Sequence, residues 1–141
     1  MPAIMTLILL TALSGAATPP CHEITETFGN LEGAWLFQVD PSDSGERQGW
    51  HRLDCDRSGW PVLSAPGAWE SQHNAGSDAL GNASDDDRPW KEYDGIAWYV
   101  LTFVAPESWR GQELDLHLGI VDDTDRVYFN GVLIGETGPG I

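Results

Sequence analysis

Residues 127–134 read Val-Tyr-Phe-Asn-Gly-Val-Leu-Ile, and no other stretch limits the folds open to this chain so sharply. An Asn-Gly pair between β-branched and aromatic runs predicts a two-residue hairpin. Both central positions of a type I′ turn need positive φ, and Asn and Gly reach it at least cost. Residues 96–104 are apolar on both sides: Ala97, Tyr99, Leu101 and Phe103 alternate with Trp98, Val100, Thr102 and Val104. That pattern predicts a central strand buried on both faces. Trp35, Phe37 and Val39 share one face of residues 34–39, ahead of a turn-rich stretch over 40–45. In residues 113–118, Leu114, Leu116 and Leu118 are expected to point inward and Glu113, Asp115 and His117 outward. Short strands punctuated by Gly, Pro and Asp predict an all-β chain, an antiparallel β-sandwich of jelly-roll type.

The 141 residues fit one domain and fall short of the roughly 200 needed for a (β/α)₈ barrel. With 22 acids against 7 bases the net charge is −15, which excludes a nucleic-acid backbone as partner. Seven tryptophans exclude a disordered acidic tail, which lacks bulky apolar residues. Residues 1–17 carry no charged side chain, and an apolar core over 4–13 is followed by Ser14, Gly15, Ala16 and Ala17. The core is too short to span a bilayer and suits a secretory leader; the alternative is an apolar N-terminal strand. The organisation expected is therefore a leader over 1–17, a linker over 18–30 and a domain over 31–141. A secreted or periplasmic location follows, with no membrane contact after leader removal. Cys21 and Cys55 could pair as a disulfide or remain two thiols.

Residues 72–92 form a long polar stretch, and long loops in small domains are commonly functional or mobile. At its end stand Trp90, Tyr93 and Asp94. Sugars stack their C–H faces on aromatic rings and hydrogen-bond to carboxylates, so these three are the candidate carbohydrate contacts. Trp35 and Trp98 read as core, while Trp60, Trp69 and Trp109 flank turns and are expected to cover an end of the sandwich. Asp122, Asp123 and Asp125 could offer oxygens to a calcium ion. The simpler reading makes them turn residues before the hairpin. The four histidines show no metal-binding spacing, so calcium is the one cofactor under consideration. A sandwich ending just after the hairpin would leave an edge uncovered, so the domain is expected to be C-terminally incomplete.

Taken in order, these pieces resemble the N-terminal sugar-binding domain of glycoside hydrolase family 2, the β-galactosidase and β-glucuronidase family. The resemblance lies in Gly33, Ala34, Trp35, Leu36 and Phe37 with Asp40 and Gly45, then in Pro66, Gly67, Ala68 and Trp69. It continues through Tyr93, Asp94, Gly95 and Trp98, then Pro106, Trp109 and Gly111, and ends with Leu118, Gly119, Asp122, Asn130 and Gly131. It implies a galactose-binding-like jelly roll that acts as a non-catalytic accessory domain of a secreted β-galactosidase-like enzyme. Its partners would be carbohydrate and the C-terminal domains of the same polypeptide. The family's two catalytic glutamates lie on a barrel that follows, so no catalytic residue is carried over here. Sialate O-acetylesterases carry a similar domain, and residues 122–125 resemble that group. A stand-alone carbohydrate-binding module is the third reading. The chain contains no Gly-x-Ser-x-Gly elbow of a serine hydrolase.

Overall fold

The apolar alternations assemble into one sheet. The computed structural model describes the backbone of residues 4–11 and 21–23, and residues 29–75, 88–119, 121 and 124–138 with their side chains. Its strands are β1 (Ile4–Thr11), β2 (Cys21–Glu23), β3 (Gly33–Val39), β4 (Val62–Ala65), β5 (Ala97–Val104), β6 (Thr124–Phe129) and β7 (Val132–Thr137). They lie in the order β4-β3-β5-β1-β6-β7, with β2 also pairing β5. β3 runs antiparallel to β4 and β5, and β6 antiparallel to β7. The all-β class is as expected. The parallel ladders, β1 with β5 and β6 and β2 with β5, were not expected. They all come from residues read as leader and linker, and the alternative of an apolar N-terminal strand is the conformation that residues 4–11 adopt.

β5 has the two-sided burial that its sequence predicts. Ala97, Tyr99, Leu101 and Phe103 join Trp35, Phe37, Leu63, Trp90 and Val127 in a core on one face. Trp98 and Val100 join Tyr128 on the other. A buried Leu, Val or Phe side chain stabilises a fold by roughly 1.5–3 kcal/mol, so two such faces dominate the energetics of the domain. Asn130 and Gly131 turn at φ 48 and 82, the two positive values of a type I′ hairpin.

Both faces are roofed by loops and short 3₁₀ turns rather than by a second sheet among the described residues. Residues 113–118, expected as a strand, form none. Leu116 and Leu118 pack on the larger core, but Leu114 is 53% exposed. Apolar alternation makes a strand only where a neighbour completes the ladder, and no described strand pairs with this stretch.

The two outer edges differ. Beside β4, the Gln72 side chain accepts the Ser64 N–H at 2.6 Å and donates to the Ser64 carbonyl at 2.9 Å. Asn74 Oδ1 accepts the Val62 N–H at 2.9 Å, so side-chain amides stand in for a missing strand. At the far side every residue of β7 is exposed, Val132, Leu133 and Ile134 included.

Candidate functional site

The end of the polar loop does not form the sugar platform that the sequence suggests. Trp90 is 4% exposed and packs its ring edge-on to Phe37 at 5.7 Å. Its Nε1–H donates to the Gln72 carbonyl at 3.0 Å. A ring enclosed in this way has no free face for a ligand, so Trp90 is a core residue. Its polar sequence neighbours hide the fact that Trp90 itself closes the core over β3. Tyr93 is half-buried and donates its hydroxyl to the Ile96 carbonyl at 3.0 Å; burial raises its phenol. Asp94 is exposed beside it. Of the three, only Asp94 lies open.

The turn-flanking tryptophans cover faces of the sheet rather than its end. Trp69 and Trp109 pack on the larger core. Trp60 lies on the opposite face, where it meets Trp50 at 5.3 Å, and Trp50 meets Trp98 at 5.8 Å. Trp50 carries no strand or motif signal, and sequence reasoning passed it over.

The same face contains a buried carboxylate that the sequence placed only in a turn. Asp40, 2% exposed, accepts the N–H of Ser44 at 2.9 Å, the N–H of Gly45 at 2.7 Å and Trp98 Nε1–H at 3.0 Å. Three donors on one buried carboxyl group satisfy it in a dry setting, and here they fix both a loop and a core ring. Gly45 is required by contact: a Cβ there would lie 2.5 Å from Trp98 Nε1 and 2.6 Å from Trp50. Arg57 donates to the carbonyls of Trp50, Arg52 and Cys55 and completes the loop; burial lowers its pKa. Cys55 is a free thiol, and the Cys21 side chain lies outside the described residues.

A cleft of about 380 Å³ opens on the side of the larger core, lined by Leu116, Leu118, Gly119, Val121, Asp125 and Thr137. Asp125 is not in a turn, as its spacing suggested, but in β6. It is 5% exposed, and Thr137 Oγ1–H donates to its carboxylate from β7. Burial raises its pKa. Asp122 and Asp123 lie outside the described residues. Among the described residues no group of three His, Cys, Asp or Glu is placed to hold a metal ion. Apolar walls with one carboxyl and one hydroxyl are chemistry suited to a polyhydroxylated ligand.

A model of the family described as "Glycosyl hydrolases family 2, sugar binding domain" matches residues 28–140. A β-glucuronidase of Paenibacillus borealis is 28% identical over 118 residues, 83% of this chain and 17% of that protein. A β-glucuronidase of Canis lupus familiaris is 30% identical over 132 residues, 89% of this chain and 18% of that protein. The chain thus spans less than a fifth of the length of these relatives. No solved structure gives a significant match.

Proposed function

The chain belongs to the sugar-binding domain family of the family 2 glycosyl hydrolases, and on that premise we propose that it is the non-catalytic accessory domain of a longer, secreted β-glycosidase. The observation that carries this reading is the share of each protein covered: most of this chain aligns with a small part of proteins named β-glucuronidase. Those names favour β-glucuronides as the substrate class of the whole enzyme, with β-galactosides second. They favour a glycosidase over an esterase as well.

The chemistry supports positioning rather than bond cleavage. Retaining glycosidases need two carboxyl groups roughly 5–5.5 Å apart across a cleft. The two buried carboxylates among the described residues belong to opposite faces: Asp40 bonds Trp98 on one, while Asp125 shares the row of Ala97 on the other. Each is engaged with neighbouring donors. The cleft beside Asp125 and Thr137 is the candidate sugar contact among the described residues.

The 141-residue chain is expected to release no nitrophenol from nitrophenyl β-glucuronide or β-galactoside above the buffer rate. Turnover that a single carboxylate substitution abolishes would overturn the accessory role. Titration with glucuronic acid is expected to weaken in Asp125→Asn, and an unchanged curve would remove the cleft as the contact.

A further inference from the structure

Among the described residues β7 pairs with β6 alone, and its whole length is exposed. The turn at its head is short: Phe129 pairs with Val132, leaving Asn130 and Gly131 as the loop. The closing hydrogen bonds belong to Phe129 and Val132, and the Gly131 N–H donates to nothing among the described residues. Both turn residues are half-buried, and a Cβ on Gly131 would lie 3.6 Å from the His51 carbonyl oxygen.

Asn followed by Gly sets an electrophile beside a nucleophile that no Cβ shields. The Gly131 nitrogen attacks Cγ of Asn130, forming an N–Cγ bond. Its proton passes through water to Nδ2, the Cγ–Nδ2 bond breaks, and ammonia leaves. Water then opens the five-membered imide. Attack at Cγ gives Asp on an unchanged backbone. Attack at the main-chain carbonyl gives isoaspartate, whose backbone runs through Cβ and Cγ. Ring closure requires the Gly131 nitrogen and the Asn130 Cβ on the same side of the Cα–C bond. Asn130 has φ 48, and the left-handed basin that holds such a φ has ψ of about 47, which sets the two on opposite sides.

We infer that Asn130–Gly131 is a self-modification site, barred while the β6–β7 hairpin is closed and active when it opens. Conversion to isoaspartate makes the opening permanent. The extra backbone carbon removes the type I′ geometry from the turn, and no second described strand keeps β7 in place. Converted molecules therefore accumulate with the time spent open.

The full chain, incubated at mildly alkaline pH beside a peptide of residues 124–137, tests the gate. Chromatography with mass spectrometry follows the Asp and isoaspartate products. The chain is expected to convert about tenfold or more slowly than the peptide, and to match it in urea that unfolds the domain. Equal rates in buffer, a lag that persists in urea, or conversion in neither would overturn the gated site. A second arm prepares the isoaspartate chain in urea, returns it to buffer and compares it with Asn130→Asp taken through the same steps. That variant changes the charge and keeps the backbone, and Asp-Gly serves a type I′ turn as Asn-Gly does. Hydrogen–deuterium exchange is expected to show β7 amides unprotected in the isoaspartate chain alone, with β4 amides protected in both. Protection of β7 in the isoaspartate chain, or its loss in both chains, would overturn the permanent opening.

Discussion

The two faces of the sheet are roofed by different means. On the larger face, tryptophans fasten the loops: Trp35, Trp69 and Trp90 each donate an indole N–H to a backbone carbonyl, of Leu31, Tyr93 and Gln72 respectively. Each ring buries a large apolar area and satisfies its one polar atom in the same place. On the smaller face the acceptor is a side chain instead of the backbone. A single acceptor, Asp40, gathers donors from the loop and from Trp98, and the rings of Trp50 and Trp60 follow. The contrast teaches that distributed packing should lose stability in graded steps, while a face gathered around one acceptor should fail as a unit.

The largest expected effect lies on the packed face. Trp90→Ala should destabilise the domain by about 4 kcal/mol, the usual cost of removing a buried aromatic ring, and urea denaturation reads it directly. A shift below about 1 kcal/mol would return Trp90 to the surface, where a sugar could reach it. Asp40→Ala comes next, at about 3 kcal/mol, because it strands several buried donors at once. It should also change the fluorescence of Trp50 and Trp98 before global unfolding; loss of both faces in one transition would erase the distinction drawn here. Gly45→Ala should cost about 2 kcal/mol through overpacking against Trp50 and Trp98, with the larger face undisturbed.

The smallest effect is one of pH. Burial, with the Glu46 carboxylate adding to it, pushes the Tyr128 phenol up to about 12. Burial, aided by Glu70, raises Tyr99 further. An unfolded chain ionises its tyrosines near the ordinary value of about 10. Between that value and the folded ones the native state holds more protons, so stability falls as pH rises through the window. Tyr128→Phe should flatten that fall only up to about pH 12, and Tyr99→Phe should flatten it throughout the window. Identical alkaline curves for the two variants would show that the faces do not differ in this respect.

Much of the sheet was legible in the sequence because its signals are local. Alternation located β3 and both faces of β5, and Asn130 with Gly131 located the β6–β7 turn. What was missed depended on partners distant in the chain. Residues 113–118 alternate as a strand does, yet a ladder needs a neighbour that no periodicity supplies. Asp40 reads as a turn former, and nothing nearby announces that its main ring partner is Trp98, 58 residues away. Trp90 was misjudged because polar sequence neighbours suggest exposure, whereas burial is decided by what folds over the ring. The apolar character of residues 4–11 was plain, but not that they would lie between two parallel strands.

Among the described residues no strand pairs with the outer edge of β7, which has a practical consequence for anyone handling the isolated domain. Val132, Leu133 and Ile134 offer a ready template for edge-to-edge association, while fifteen surplus negative charges push copies apart. Screening shortens the reach of that repulsion to about 3 Å at 1 M salt and leaves the apolar attraction intact. Concentrated brine, sooner than warmth, should be what turns a clear solution cloudy.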